Sequence, residues 1–425
     1  MKLGIKTGAI DIRVKTLYFV LFASFFNDFV RIPGTVVSLY RLLVLPALLI
    51  CLGICTRRTI AYGFFWMLCS ALSLFLSRFF FSGELGFSHQ LITDIKYILL
   101  LLGAVAVVCI VDVLRRKDPL FAPRVFTLLK SAAIIYLLIM LLFHVFYDKA
   151  ISLLYSDTLQ MQNINNYGTC LAAIFPVFWL ERSRSKYALC ALILLACYVN
   201  DCKLSLIGIV AELLLLCVLR FYMSPKASYR SLTIVIMTTL AVLAFFLINT
   251  DLRINGYYIR EIVVEPVRRL LMLQPYERSD VSTTYRTNVI IYGLQGLTHH
   301  KLVGIGLGNA GRFMRELMAD KTLGAKNLKR DVISLHNCWL ELMLEMGGVS
   351  ILGIAYLYAR LFDGIKKNKG KYSRVAFAAF MGFWIWGMQP SGIWAIFYVH
   401  VVLATLYFMS TKSAEEGHQI CCDLP

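Results

Sequence analysis

Charge is what this sequence has least of. Asp, Glu, Lys and Arg together make up 16% of its 425 residues, where an ordinary soluble domain carries about 25%. That shortfall excludes a soluble globular enzyme. Hydrophobic residues make up 59%. Apolar runs of about 18 or more residues recur along the length, each long enough to cross a bilayer core of roughly 30 Å. The chain therefore reads as an all-α polytopic integral membrane protein.

Other absences narrow the chemistry. The twelve cysteines show no metal-ligand spacing. Most lie inside apolar runs (Cys51, Cys55, Cys69, Cys109, Cys190, Cys197 and Cys217), where cysteine behaves as a small hydrophobe, and Cys421-Cys422 falls in a polar tail. No Asp-x-Asp pair of a metal-dependent nucleotide-sugar enzyme occurs, nor a Walker loop, nor a nucleophile elbow. The spans carry no row of charges like that of proton-coupled carriers, and no internal repeat or low-complexity stretch stands out. Basic residues precede the first apolar run, but no small-residue cleavage site follows it, so that run is read as a span rather than a signal peptide. No cofactor or metal is expected.

What charge there is has one sign in excess. The net charge of +18 would fit nucleic acid, but Lys and Arg collect in the short cytoplasmic loops of membrane proteins, and no nucleic-acid partner is expected. Spans fall at roughly 16–30, 36–55, 59–80, 96–114, 128–147, 165–180, 187–200, 203–221, 231–249, 336–361, 374–389 and 392–410, ten to twelve in all. Alternate loops hold Arg57-Arg58, Arg115-Arg116-Lys117, Arg182, Arg184 and Lys186, then Arg220, Lys226 and Arg230, then Lys366 to Arg374, while the other short loops hold only Arg31 and Lys149. That alternation puts both termini in the cytoplasm and the long polar interval on the outer face. The organisation expected is nine spans over 1–249, one large external loop over 250–335, three spans over 336–410 and a cytoplasmic tail over 411–425.

The polar interval carries the candidate chemistry. Residues 284–297 read as an amphipathic helix with Tyr285, Val289, Tyr292 and Leu297 near one face and Arg286 on another. Gly304-Ile305-Gly306-Leu307-Gly308-Asn309 lacks the strand context of a nucleotide fingerprint. It is either a turn joining two helices or a set of backbone amides facing an anionic lipid head group. Arg253, Arg260, Arg268, Arg269, Arg278, Arg286, Arg312 and Arg315 lie on the same side, and guanidinium groups grip phosphate bidentately. Such residues also meet lipid phosphates without any specific role. His336-Asn337 opens an apolar helix, and a histidine at a water–membrane boundary has the right pKa for general-base work at neutral pH. Glu341 and Glu345 follow at i, i+4 spacing, where acidic groups are costly and tend to be functional. Lys203 opens another span after Asn200-Asp201, and Asn163, Asn165 and Asn166 precede one at the same face. His299-His300 has no partner at ligand spacing and is read as surface.

Taken in order, Tyr285-Arg286, Gly304 to Asn309, Leu335-His336-Asn337, Leu340-Glu341 and Glu345-Met346-Gly347-Gly348 resemble the O-antigen ligase/polymerase superfamily of bacterial membrane enzymes. The resemblance is specific over about 285–355 and extends more loosely to Asn166 and Lys203. It implies a GT-C-like, all-helical glycosyltransferase of the inner membrane that needs neither nucleotide nor metal. The donor would be a saccharide on undecaprenyl diphosphate at the periplasmic face. The acceptor would be a second lipid-linked saccharide in a polymerase, or lipid A–core in a ligase. A chain-length regulator is a candidate partner beside the membrane lipids. Under this resemblance His336 and Arg286 are catalytic, and Lys203, Arg260, Arg268, Arg269, Asn337 and Glu341 bind the diphosphate or saccharide. The family often has Ser-Arg where this chain has Cys202-Lys203, which keeps the charge but loses the bidentate fork. A lipid-linked oligosaccharide flippase is the alternative of another class, though its cations belong in a central cavity rather than in one loop. A non-catalytic subunit of a polysaccharide assembly is the third.

Overall fold

The computed structural model describes residues 11–26, 38–81, 90–145, 164–179, 184–200, 202–223, 253–254, 257–258, 261, 264–272, 281–299, 304–319, 335–367, 371–388, 390, 392 and 396–410. The expected span 231–249, Arg260, Asn163 and the tail lie outside them. In chain order the helices before the polar interval are α1 (Ile12–Phe25), α2 (Leu39–Leu52), α3 (Arg57–Phe81), α4 (Gln90–Lys117), α5 (Phe121–Val145), α6 (Ile164–Phe178), α7 (Ser185–Val199) and α8 (Lys203–Met223). The interval holds a two-residue hairpin, β1 (Arg253–Ile254) with β2 (Tyr257–Tyr258), then α9 (Glu265–Leu271), α10 (Val281–His299) and α11 (Ala310–Ala319). The chain continues with α12 (Cys338–Met346), α13 (Gly348–Lys367), α14 (Lys371–Trp386) and α15 (Phe397–Ser410).

Local signals set several of these ends. The Asp11 side chain accepts from the Arg13 amide at 3.0 Å and starts α1. Ser38 starts α2 in the same way at 3.3 Å. Each supplies an acceptor to an amide that the first turn leaves unpaired. The last turn of α4 is Arg115-Arg116-Lys117, where cations complement the helix dipole.

Among the described residues three helices are long and apolar enough to cross a membrane, at Arg57–Leu76, Tyr97–Lys117 and Phe121–Leu142, with shorter apolar helices beside them. Their outward faces agree with a lipid setting. Phe64, Leu68, Leu72, Phe75 and Phe79 run down one side of α3 and are all exposed, Phe79 to 73%. A continuous exposed apolar stripe of this length on a soluble protein would drive association.

The bundle core forms around α4, α14 and α15. The Tyr40 hydroxyl donates to the Gly103 carbonyl at 2.6 Å, which ties α2 to α4. Phe397 of α15 packs against the same glycine, where any Cβ would meet its ring at 2.7 Å. Helix α8 lies along α14. The Trp386 indole donates to Glu212 Oε1 at 2.8 Å, and Gly208 and Gly382 leave the space that lets the two helices approach.

One element departs from expectation. The single span read over 336–361 is two helices, α12 and α13, meeting at Gly347. That residue adopts φ 64°, a left-handed conformation that ends α12 at little cost for glycine alone.

Candidate functional site

The site is built on the start of α12. Asn337 caps it, its side-chain oxygen accepting from the Trp339 amide at 3.2 Å and the Leu340 amide at 3.1 Å. His336 immediately precedes the cap with φ 48°. It is the one non-glycine residue with positive φ among the described residues. Histidine in the left-handed region is uncommon, and strain of this kind concentrates at functional positions. Its imidazole, half-buried, meets the Tyr285 ring edge-on, with centroids 6.2 Å apart and planes at 73°.

Tyr285 belongs to α10 and is followed by Arg286, half-buried on the same helix. The structure therefore brings the arginine-bearing helix and the histidine together through an aromatic contact. Helix α10 packs on α12 through a second, smaller core of Val289, Tyr292, Leu297, Leu340 and Leu344. Gly293 allows the close approach, since a Cβ there would lie 2.5 Å from Leu340. Of the residues expected on its apolar face, Val289, Tyr292 and Leu297 are buried and Tyr285 is half-buried. Burial extends further round, to Thr287, Asn288 and Ile291, because α9 and α11 also pack against the helix.

The glycine segment has a defined job. The Ile305 amide donates to the Leu344 carbonyl at 2.8 Å and the Gly306 amide to the Glu345 carbonyl at 3.0 Å. The Gly308 amide donates to Glu345 Oε1 at 2.8 Å. Gly304, Gly306 and Gly308 have φ of 90°, 86° and 79°, which an L side chain adopts only with strain. The Asn309 amide nitrogen closes the turn on the Ile305 carbonyl at 2.9 Å. Of the two readings open from sequence, the turn joining two helices is the one the structure has. The amides of Ile305, Gly306 and Gly308 are taken by α12, so they do not face a head group. Glu345 is the hub, since its carbonyl also accepts from Ser73 of α3, which fastens this module to the bundle.

Glu341 is 7% exposed, and its Oε2 accepts from the Gly392 amide at 2.8 Å. Together with the Cys338 amide donating to the Gly387 carbonyl at 3.1 Å, it anchors α12 to the chain between α14 and α15. Trp339 adds a hydrogen bond to the Phe383 carbonyl at 3.1 Å and stacks on Trp384 at 4.2 Å. Nothing in the sequence marked Gly392 as a support, and its partner Glu341 is set by tertiary contact.

The remaining candidates fall as follows. Lys203 is exposed at the first residue of α8. Along α8, Gly208 meets Trp386 and Glu212 meets Gly382, so α8 and α14 are antiparallel. Lys203 then lies about 7 Å beyond Gly208 along the axis, at the same end of α14 as Gly387 and the His336 segment. Arg268 is exposed, and Arg269 pairs with Glu265 at 3.1 Å. Both sit on α9, which packs against α10. Among the described residues no group of three His, Cys, Asp or Glu side chains could hold a metal.

No curated protein matches the chain. Residues 188–355 match the sequence model of the O-antigen ligase family, and that stretch contains Lys203, the arginines, the glycine turn and His336 to Glu345 alike. The match supports, over these residues, the resemblance to the O-antigen ligase/polymerase superfamily seen in the sequence.

Proposed function

We propose that this protein is a membrane glycosyltransferase that polymerises O-antigen or capsule-type repeat units, taking its donor saccharide from undecaprenyl diphosphate at the outer face of the cytoplasmic membrane. The observation that carries the reading is the left-handed His336 at the cap of α12, held edge-on to Tyr285 beside Arg286. His336 accepts the proton of the acceptor hydroxyl as the new glycosidic bond forms at the anomeric carbon. The bond from that carbon to the diphosphate breaks, and the leaving diphosphate takes the electron pair. Arg286 stabilises the charge that accumulates there, with Lys203, Arg260, Arg268 and Arg269 holding the diphosphate. Asn337 and Glu341 act on α12 itself, keeping His336 in place. Donor activation resides in the diphosphate, so the reaction requires neither nucleotide nor metal.

The test is in vitro transfer by purified protein with a defined lipid-linked donor. His336→Ala should lower the rate by about 10²–10⁴, the usual contribution of a positioned base. Arg286→Ala should lower it by about 10²–10³. Near-normal transfer by either folded variant would remove that residue from the mechanism.

The family description favours a second reading, ligation of finished glycan to lipid A–core. A deletion strain separates the two. Single repeats left on core mean polymerase, and intact polymer stranded on carrier lipid means ligase.

A further inference from the structure

A cavity of about 340 Å³ lies inside the bundle, beneath α12 and away from the His336 site. Its roof is Trp339 and Leu342 of α12. Its walls come from α3 (Thr59, Tyr62, Trp66), α4 (Ala104, Val108), α13, α14 and α15. Along α4 the lining runs from Ala104 to Arg115, which at 1.5 Å per residue is about 16 Å. That is close to half of a bilayer core of roughly 30 Å, the depth of one leaflet.

The far end is cationic. Arg58, Arg115 and Arg360 converge there from α3, α4 and α13. Two acidic groups lie beside them. Asp112 Oδ2 accepts from the Thr56 amide at 2.8 Å and pairs with Arg116, which is outside the lining, at 3.5 Å, while its Oδ1 is buried with no hydrogen-bond partner among the described residues, so the three arginines of the lining outnumber one carboxylate there. Asp363 reaches Arg360 only at 3.9 Å, and both are more than a third exposed. Arg115 donates to the Phe408 carbonyl at 3.1 Å and lies over the Phe408 ring at 5.6 Å. Its Nε is buried with no hydrogen-bond partner among the described residues. A buried donor left unpaired costs free energy, and a guanidinium presents a fork that matches a phosphate.

We propose that this cavity binds a phosphate-bearing lipid from the leaflet on the Arg58 side. The phosphate sits among Arg58, Arg115 and Arg360, and one chain lies along the aromatic wall up to Trp339. Size, an apolar lining and a few convergent polar groups are what such sites share. The site is distinct from the donor site proposed above, because α12 separates them, and its test does not depend on transfer activity.

The experiment is thermal unfolding of the full-length protein in neutral detergent micelles, with native mass spectrometry counting retained lipid. The probes are phosphatidylglycerol, phosphatidylcholine of the same chains, and inorganic phosphate. Phosphatidylglycerol should raise the midpoint and remain bound, and the other two should do neither. Arg58→Gln with Arg360→Gln should weaken retention by about tenfold or more, since two charge-assisted contacts are lost, while Arg58→Lys with Arg360→Lys should keep the preference for phosphatidylglycerol. Should the double glutamine variant fail to fold, Arg58→Gln alone, at an exposed position, gives the same comparison. Equal retention by the glutamine variants, or equal stabilisation by phosphatidylcholine, overturns the proposal. Stabilisation by inorganic phosphate alone makes the site a simple anion site and overturns the lipid assignment.

Discussion

Replacing Gly304 by alanine tests whether the glycine turn and α12 form one rigid unit. The residue has φ 90°, where an L side chain costs about 1–2 kcal/mol. A Cβ would also lie 2.7 Å from both the Glu345 carbonyl oxygen and the Gly347 nitrogen. Both are backbone atoms inside a packed junction, so neither can rotate away. Relief requires the turn to move off α12, which strains the Ile305–Leu344 and Gly306–Glu345 hydrogen bonds, each worth about 0.5–1.5 kcal/mol. Together the loss is about 2–5 kcal/mol. At roughly 2–4 °C per kcal/mol, the unfolding midpoint of the detergent-solubilised protein, followed by circular dichroism, should fall by several degrees or more. Gly53→Ala is the control. It closes α2 at φ −76° with no atom within 4 Å of a built Cβ, so it should be neutral or slightly stabilising. A Gly304→Ala protein melting with the parent would refute the coupling of turn to helix.

Paired substitutions on α12 separate positioning from chemistry. Asn337→Ala should cost about 1 kcal/mol through loss of the cap, and Asn337→Asp should recover it, because a carboxylate can accept the same two amides and complements the helix dipole; urea unfolding reads both. Glu341→Gln should keep an acceptor for the Gly392 amide and stay close to the parent in stability, whereas Glu341→Ala should lose about 1–3 kcal/mol. Equal stabilities for these two would mean that the Gly392 contact contributes nothing. His336→Gly and His336→Ala should both be inactive in the transfer assay, with the glycine protein the more stable by about 1 kcal/mol, since only glycine takes the left-handed backbone freely. An alanine protein as stable as the glycine one would show that φ 48° is not enforced by its surroundings.

Much of this was readable from the order of residues. Apolar runs of about 18 residues gave helices because in lipid only helices and closed barrels satisfy every backbone group, and runs of that length fit a helix, and α2 to α8 lie where those runs do. The apolar spacing of Tyr285, Val289, Tyr292 and Leu297 gave a helix with a buried side. Asn337, which the resemblance assigned to substrate binding, also carries a local cap signal before an apolar stretch, and its side chain caps α12. What failed had long-range causes. The apolar pattern crosses Gly347 without interruption, so 336–361 reads as one helix. The break falls at Gly347, which caps α12 with φ 64°, and the glycine turn, some forty residues away in sequence, docks against Leu344 and Glu345 just before it.

The sequence by itself determined the membrane class, the extent of most helices and the set of polar residues available for chemistry, because those follow from local hydrophobicity and short-range spacing. The tertiary structure decided which of those residues meet. It set His336 against Tyr285 and brought Lys203 to the same end of α14. It gave Glu345 to the glycine turn and Glu341 to Gly392, and it opened a cationic-ended cavity between α3, α4, α13, α14 and α15. Each of these depends on packing between segments distant in the chain, and no local pattern encodes that.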